Sequence, residues 1–182
     1  EMRLPVLLRI PTRLSHSRSV IRRSETRRQN PLNPVVDSNA WVLLPAIARK
    51  NYQRLIDKQP QLIALSDASN FNMERPGEGN KAVMAFGIAY NYVMEVVTTF
   101  RLNIPVLKIS QYPLPEKKVR QFVERYDPIL IAEEGYPVYE ELLKGYFGND
   151  KFRGRLDGAL PRMGELSPDA LAKALGVEAE AP

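Results

Sequence analysis

The sequence predicts an α/β fold of three layers, in which helices cover both faces of a mostly parallel sheet. Three apolar runs carry this prediction, and they lie at residues 82–86, 105–109 and 128–132. Their apolar residues are continuous rather than alternating, as in strands that are buried on both faces. Each run stops at a turn and passes into a helical pattern, which suits the right-handed crossovers of a parallel sheet.

The first 39 residues predict an extended basic arm in front of this domain. Residues 4–10 form an apolar, strand-like run with no earlier strand to pair with, so we interpret it as the last strand of something larger. Residues 11–39 are rich in Arg, Ser, Asn and Pro and show no apolar period, which is typical of a linker. We therefore predict two parts, residues 1–39 and residues 40–182.

Helical spacing begins at residue 44, where Pro45 suits a first turn. It predicts a helix of about three to four turns, then a separate short helix at residues 61–65 and a loop at residues 70–80. The apolar face of the first helix consists of Leu44, Ile47, Ala48, Tyr52, Leu55 and Ile56.

Each of the three central strands is followed by one amphipathic helix. We interpret the apolar faces of these helices as structural. They are Ala89, Val93, Val96, Val97 and Phe100; then Val119, Phe122, Val123 and Tyr126; then Val138, Leu142, Leu143 and Tyr146.

The last part of the chain predicts one more helix. Residues 151–160 are too rich in glycine for a helix, so we expect a short edge strand or a loop. Ser167, Pro168 and Asp169 then form a favourable helix start, and Gly176 marks the end of that helix.

Length and composition exclude several classes of protein. A chain of 182 residues can bury one core, and 44% hydrophobic residues is ordinary for a globular domain. We find no apolar run of membrane-spanning length and no signal-peptide pattern, so we expect a cytoplasmic protein. Without cysteine, the chain itself cannot hold a disulfide, a thiolate zinc site or an iron–sulfur cluster.

The net charge of +5 is concentrated in residues 9–28 of the arm, where Glu25 is the only acid. One interpretation is a solvated linker, since charge runs are usually solvated. Nucleic-acid binding is disfavoured because no aromatic residue interleaves with the arginines, so a phosphate-bearing cofactor or an acidic partner fits better. The arginines of residues 9–28 are Arg9, Arg13, Arg18, Arg22, Arg23, Arg27 and Arg28.

No self-contained catalytic motif is present. The phosphate-binding patterns GxxxxGK[ST] and GxGxxG are absent. His16 stands between two serines, as a base beside a hydroxyl would, but the arm offers no carboxylate to orient it. We therefore expect an ordinary loop histidine, with a hydrolase as the less favoured alternative.

Ligands and partners of such sheets gather at the carboxyl ends of the strands. Gly87 most simply allows close packing of strand and helix, and alternatively leaves the amides of the next helix facing a ligand. Glu133 and Glu134 should point apart, so we expect them to serve a helix N-terminus and solvent rather than an acid–base pair. The candidate residues at these ends are Gly87, Tyr90, Asn91, Tyr112, Pro113, Glu133 and Glu134.

Five segments in one order give a resemblance over nearly the whole chain. They are residues 5–17, residues 87–93, residues 112–115, Glu133 and Glu134 with Pro137, and residues 160–166. Together they resemble the alpha subunits of indolepyruvate ferredoxin oxidoreductases, in the 2-oxoacid:ferredoxin oxidoreductase family.

The resemblance implies that residues 1–39 end a pyrimidine-binding domain. It implies that residues 40–182 are a transketolase C-terminal-like, Rossmann-like domain. The family decarboxylates aryl pyruvates oxidatively through thiamine diphosphate, passes electrons to ferredoxin and forms an acyl-CoA. This chain lacks the diphosphate–magnesium motif and the cluster cysteines of the family.

The resemblance therefore implies a non-catalytic domain that works only beside other domains or subunits. Thiamine diphosphate, magnesium and iron–sulfur clusters would be held elsewhere in the full enzyme, and ferredoxin and CoA would be its partners. Arg13, Ser15 and His16 would contact a substrate carboxylate or a CoA phosphate. The alternative is a stand-alone interaction module whose arginine-rich arm docks an acidic partner.

Overall fold

The computed structural model describes residues 4–8, 10–23, 25, 37, 42–148 and 150–177. The chain divides into two compact units, residues 1–41 and residues 42–182. The assignment of residues 1–39 to a pyrimidine-binding domain stays a prediction.

The described residues of the first unit include a short helix, α1 (Thr12–His16), which the sequence did not predict. Its five residues are too few to show a helical period. The strand predicted at residues 4–10 is wrong for its described part, which is irregular, with Val6 and Leu7 more than nine-tenths exposed. A strand needs a partner for its backbone, and none pairs with this run among the described residues. Arg9, Arg27 and Arg28 lie outside those residues.

The second unit is built on a five-stranded sheet in the order β1-β3-β2-β4-β5. Only the pairing of β1 with β3 is antiparallel, while β3, β2, β4 and β5 run parallel. The mostly parallel α/β sheet that the sequence predicts is thus confirmed. The strands are β1 (Met73–Arg75), β2 (Ala82–Phe86), β3 (Val106–Ile109), β4 (Ile129–Ala132) and β5 (Phe152–Arg153).

Strands β2 and β4 are buried along their whole length, as their continuous apolar runs predict. Met84 of β2 lies opposite Leu107 of β3 on one side and Ile131 of β4 on the other. The two faces of β2 contribute to two separate cores, because alternate residues of a strand point to opposite faces.

Helices cover both faces of the sheet, which gives the three predicted layers. On one face, Val83 and Ala85 pack with α3 and α6; on the other, Met84 and Leu107 pack with α4 and α5. The helices of this unit are α2 (Pro45–Ala68), α3 (Ala89–Thr99), α4 (Glu116–Arg125), α5 (Val138–Phe147) and α6 (Pro168–Leu175).

The predicted start and end of α6 are confirmed. The Ser167 hydroxyl accepts a hydrogen bond from the Ala170 amide at 3.3 Å. Gly176 ends the helix in the left-handed conformation, with φ of 78°.

Two predictions between residues 44 and 80 are wrong. A single helix of 24 residues runs through Pro60, where two helices were predicted. Proline removes only one amide from the helix, and residues on both sides continue the turn. The predicted loop contains β1, whose three residues form a strand only by pairing with β3 and are too short to show a pattern.

The apolar face predicted for α5 is also wrong, because it points largely outward. Val138 is 50% exposed, Leu142 39% and Tyr146 74%, whereas Leu143 is fully buried. The fully buried Glu140 lies on the inward side, so an apolar pattern misplaces the face of this helix.

Candidate functional site

The candidate residues lie in the turns that follow β2, β3 and β4, at one edge of the sheet. Gly87, directly after β2, has φ of 57°, and an added Cβ would meet no atom within 4 Å. Glycine is therefore favoured at this position by its positive φ and not by close packing of the strand against the helix. The Gly87 amide donates to the Ile109 carbonyl at 2.8 Å, which joins the turn to the end of β3.

The next two candidates stand in the first turn of α3. Tyr90 is half-buried, and the Lys108 ammonium lies 4.9 Å from the centre of its ring. A cation over an aromatic face is attracted by the ring, so β3 and α3 are tied together here. Asn91 is exposed, and no side chain caps the N-terminus of α3.

An aromatic stack joins three elements at this edge. The ring of Tyr139 on α5 lies between Phe86 and Tyr112, at centroid distances of 4.5 Å and 5.1 Å and with nearly parallel planes. Stacked rings of this kind stabilise beyond the burial of their area. Tyr139 could not be singled out from the sequence, because nothing in the first turn of a helix indicates which aromatic ring a tyrosine will stack on.

Asn72, a second residue that the sequence analysis missed, fixes the turn after β3. Its buried side chain accepts hydrogen bonds from the amides of Ser110 and Gln111 at 2.8 Å and 2.9 Å. It donates to the Gln111 carbonyl at 2.9 Å and to the Ser66 carbonyl at 3.1 Å. The Ser66 hydroxyl in turn donates to the carbonyl of Pro113. The end of α2 thus holds the backbone that carries Tyr112 and Pro113.

Glu133 caps helix α5, as the sequence predicts. It is 5% exposed, and its two oxygens accept hydrogen bonds from the amides of Tyr139 and Glu140 at 3.1 Å and 3.0 Å. Burial raises the pKa of the Glu133 carboxyl, and these two amides and Arg155 oppose that rise without cancelling it. The carboxylate is therefore used by the fold.

Glu134 points elsewhere and accepts a hydrogen bond from the Leu166 amide at 3.3 Å. The two glutamates thus bind different backbone segments, so they do not form an acid–base pair. Each holds a neighbouring segment against the end of β4.

A buried charged cluster lies behind these turns. The Glu140 carboxylate accepts hydrogen bonds from the Arg155 amide at 2.7 Å, the Leu156 amide at 3.1 Å and the Lys144 ammonium at 2.8 Å. A Cβ at Gly154 would lie 2.4 Å from a Glu140 oxygen, so a larger residue there would have to displace this carboxylate.

The Arg155 guanidinium holds the loop at residues 161–164. Its Nη1 donates to the carbonyls of Pro161 and Gly164 at 2.7 Å and 3.3 Å, and its Nε donates to the Glu133 carbonyl at 3.3 Å. The buried Nη2 has no hydrogen-bond partner in the described part of the chain. Arg155 thereby fastens this loop, which is part of the resemblance segment at residues 160–166.

The candidates of the arm lie in the first unit. Ser15 and Ser17 donate their hydroxyl hydrogens to the carbonyls of Thr12 and Leu14 at 2.9 Å and 2.8 Å. Arg13, Ser15 and His16 are exposed. Because both hydroxyls bind helix carbonyls, neither is oriented toward His16 as a nucleophile would be.

The donor set does not fit the metal centres of the resembled family. Across the described ranges, no three His, Cys, Asp or Glu side chains come together as metal ligands. With no cysteine in the chain, an iron–sulfur cluster has no thiolate ligand here. The buried carboxylates bind backbone amides, so the edge is suited to contact rather than to acid–base chemistry.

No helix in the described part of the chain is long and apolar enough to cross a membrane.

The chain is similar over almost its whole length to part of the indolepyruvate oxidoreductase subunit IorA of several archaea. It is 34% identical over 184 residues to the protein of Methanothermobacter marburgensis, 34% over 188 residues to that of Methanothermobacter thermautotrophicus and 32% over 186 residues to that of Archaeoglobus fulgidus. These alignments cover 96%, 98% and 96% of this chain but only 30%, 30% and 29% of the relatives. No known family profile matches the chain.

A solved structure shares the fold. It is 2-oxoglutarate:ferredoxin oxidoreductase from Magnetococcus marinus, determined with 2-oxoglutarate, coenzyme A and succinyl-CoA bound. The superposition has a TM-score of 0.50 at 14% identity and covers 74% of this chain and 24% of that one.

Proposed function

We propose that this chain, a homologue of one segment of indolepyruvate oxidoreductase subunit IorA, is a structural and subunit-contact domain of a 2-oxoacid:ferredoxin oxidoreductase. It spans about 30% of the length of these relatives, so the remaining domains would supply the chemistry. We further propose that the full enzyme oxidises aryl pyruvates such as indolepyruvate and that the isolated domain is inactive.

The observation that carries this proposal is the exposed apolar surface beside the carboxyl edge. Val138, Leu142 and Tyr146 recur four residues apart on α5, and we call them the α5 stripe. All three are at least 39% exposed. Contiguous exposed apolar side chains mark contact surfaces rather than cores.

The α5 stripe continues into the turn after β3. Leu142 and Tyr146 border a groove of about 350 Å³ between α4 and α5, and Pro113 lines the same groove. Tyr112, 43% exposed, precedes Pro113. A partner seated on α5 would therefore also reach the edge of the sheet.

The candidate residues divide into two roles under this proposal. Glu133 and Glu134 position backbone through the hydrogen bonds described above. The other candidates would form the contact surface of the edge, and they are Gly87, Tyr90, Asn91, Tyr112 and Pro113.

Cofactors and diffusible partners belong to the full enzyme in this proposal. Thiamine diphosphate, magnesium and iron–sulfur clusters would lie on other domains, because this chain has neither the family's diphosphate–magnesium motif nor a cysteine. The CoA bound to the Magnetococcus enzyme supports CoA as a partner of the full enzyme, together with ferredoxin. Arg13, with Ser15 and His16, would hold a CoA phosphate or a substrate carboxylate, since a guanidinium suits both anions.

Complementation tests the division of labour. The chain is purified alone, and the rest of the subunit is purified with its partner subunit and cofactors; indolepyruvate-dependent reduction of a viologen dye is then measured. We expect no turnover by the chain, little by the remainder and restored turnover by the mixture. Turnover by the isolated chain, or full activity of the remainder without it, would overturn the proposal.

A variant in the arm tests the anion contact within the complemented enzyme. Arg13→Ala should raise the KM for CoA or indolepyruvate severalfold, while Arg18→Ala, in the same exposed segment, serves as the matched control. Equal KM values for the two variants would remove Arg13 from the site without affecting the structural role of the domain.

A stand-alone interaction module is the second candidate, favoured by the exposed side chains of Arg18, Arg22 and Arg23. An acidic partner bound by these arginines should be lost when all three are changed to Glu. The same change should leave complementation intact if the arm plays no part in the oxidoreductase.

A further inference from the structure

A second exposed surface of the α/β unit is one face of helix α2. Of the 24 residues of this helix, only Ser66, close to its C-terminal end, is buried. The side chains of Tyr52, Leu55 and Ile56 are at least 39% exposed, and we call these three the α2 stripe. They recur at helical spacing, so they share one face of the helix. Such a row of exposed apolar side chains marks a contact surface.

The last turn of α2 fastens the helix to the rest of the unit. The Ser66 hydroxyl donates to the Gln111 carbonyl at 3.1 Å. The Asp67 carboxylate accepts hydrogen bonds from two amides in the first turn of α4, at 3.4 Å and 3.2 Å. Residues 45–59 extend over about 22 Å of helix, and none of them is buried. The α2 stripe therefore lies on a part of the helix that its own unit leaves largely uncovered.

The α2 stripe is continuous with the anchored face of the helix. Ser66 follows Leu55 by eleven residues, which is about three turns, so the two side chains lie on the same face. The Ser66 hydroxyl also donates to the carbonyl of Pro113, which lines the groove beside the α5 stripe. The α2 stripe thus extends the face of α2 that meets the carboxyl edge of the sheet, where the proposed contact surface lies.

Cationic side chains surround the α2 stripe. Arg49 lies three residues before Tyr52 and seven before Ile56, so it borders one edge of the stripe, and it is exposed. Asp57 is the only acid among residues 45–59, against four cations. Charge complementarity therefore favours a partner that presents carboxylates. The four cations are Arg49, Lys50, Arg54 and Lys58.

We propose that the α2 stripe docks on an apolar surface bordered by carboxylates, on one of the remaining domains of the full enzyme. This inference rests on the proposed function, which supplies those domains. It adds a second contact helix and the chemistry of the surface that the helix binds.

Two other occupants suit the α2 stripe less well. A second copy of this chain would bring two cationic helices together, and like charges repel. A lipid surface would bury Gln59, which follows Leu55 by four residues and Tyr52 by seven and so lies on the same face. Acyl chains offer no hydrogen-bond partner to its side chain, whereas a protein surface can.

Titration of the remaining domains with this chain tests the proposal. The wild type is compared with Leu55→Gln and with the control Leu65→Gln, which makes the same substitution at an exposed leucine of α2 outside the stripe. Leu55→Gln should raise the Kd about tenfold, because the complex no longer buries this apolar side chain, and Leu65→Gln should change the Kd little. The thermal midpoint should stay the same in all three proteins, because both leucines are exposed.

Salt dependence tests the charge of the partner. Arg49→Gln should raise the Kd severalfold at low salt and should reduce the rise of the Kd with salt concentration, because one screened ion pair is lost. Lys81→Gln is the matched control, since Lys81 is exposed and precedes β2, at the opposite edge of the sheet. A wild-type Kd that does not rise with salt would contradict an acidic partner.

The outcomes separate this inference from the proposed function. If Leu55→Gln and Leu65→Gln have the same Kd, the α2 stripe is not a contact, and the proposed function still stands. If the wild-type chain does not bind the remaining domains at all, the proposed function fails and this inference with it. A dimer of the chain that Leu55→Gln dissociates, or binding to phosphatidylglycerol vesicles that Leu55→Gln abolishes, would assign the stripe to another occupant and overturn the proposal.

Discussion

Glu140 shows how one buried carboxylate can organise a neighbouring segment. It stands on α5 and binds the Arg155 and Leu156 amides after β5, and the Lys144 ammonium. The side chain of adjacent Glu141 is exposed and, among the described residues, accepts a single hydrogen bond, from the Tyr136 hydroxyl at 2.7 Å. Sequence cannot tell the two glutamates apart, because the difference arises from the rotation of α5 against the sheet.

We predict that Glu140→Gln lowers the free energy of unfolding by about 2 to 3 kcal/mol. The amide group of glutamine cannot accept on both sides and leaves Lys144 without its ion pair. Glu141→Gln is the matched control and should change stability by less than about 0.5 kcal/mol. Urea unfolding measures both; equal effects would contradict the role of Glu140.

Glu133 gives a prediction about pH. Because burial raises its pKa above the ordinary 4.5, the folded chain binds this proton more tightly than the unfolded chain does. The contribution of Glu133 to stability therefore increases as pH falls through the raised pKa toward 4.5.

We compare the free energy of unfolding of the wild type with that of Glu133→Gln. We predict that the wild type gains stability relative to this variant as the pH falls from about 7 to about 5. Urea unfolding at several pH values measures this difference, and Glu95→Gln gives the baseline for removal of an exposed carboxylate. If the wild type instead loses stability relative to the variant as the pH falls, the hydrogen bonds from α5 lower the pKa of Glu133 more than burial raises it.

At the scale of elements, helix α2 continues through Pro60, which leaves the Ile56 carbonyl without its usual amide partner. We predict that Pro60→Ala raises stability by about 1 to 3 kcal/mol and slows hydrogen exchange on both sides of residue 60. Gln61→Ala, at an exposed position one residue later in the same helix, controls for helix propensity. Unchanged exchange would indicate that the helix does not act as one unit.

Strands β2, β3 and β4 could be predicted because a continuous apolar run indicates a strand that is buried on both faces of the sheet, whichever strands lie beside it. Strand β1 could not, since its three residues become a strand only through β3. The buried face of α5 was predicted wrongly for a related reason. Glu140 is stabilised in the protein interior by hydrogen bonds from residues 15 and 16 positions away, which no local sequence pattern shows.

At the scale of the whole molecule, the location of the candidate site was predictable but its internal support was not. Parallel strands place their carboxyl ends together, so Gly87, Tyr112 and Glu133 could be grouped from sequence. Asn72 and Arg155, which hold the surrounding turns, come from segments with no recognisable motif. Their hydrogen bonds follow from how helices and loops close over the sheet.

The α5 stripe carries the prediction at this scale. Leu142→Lys/Tyr146→Lys should keep the thermal midpoint close to wild type, because both side chains are exposed, yet abolish complementation of the remaining domains. Glu124→Lys, exposed on the neighbouring helix and outside this groove, is the control for an equal change of surface charge. Size-exclusion chromatography of the mixture measures association; an unchanged complex would exclude α5 as the docking face.

Both edge strands of the sheet are short: β1 has three residues and β5 has two. Such short edge strands offer few free backbone groups for hydrogen bonding to a strand of another molecule, which protects the sheet against edge-to-edge aggregation. Under the proposed function, contact with the other domains would then use side chains on helices rather than backbone at the lateral edges of the sheet.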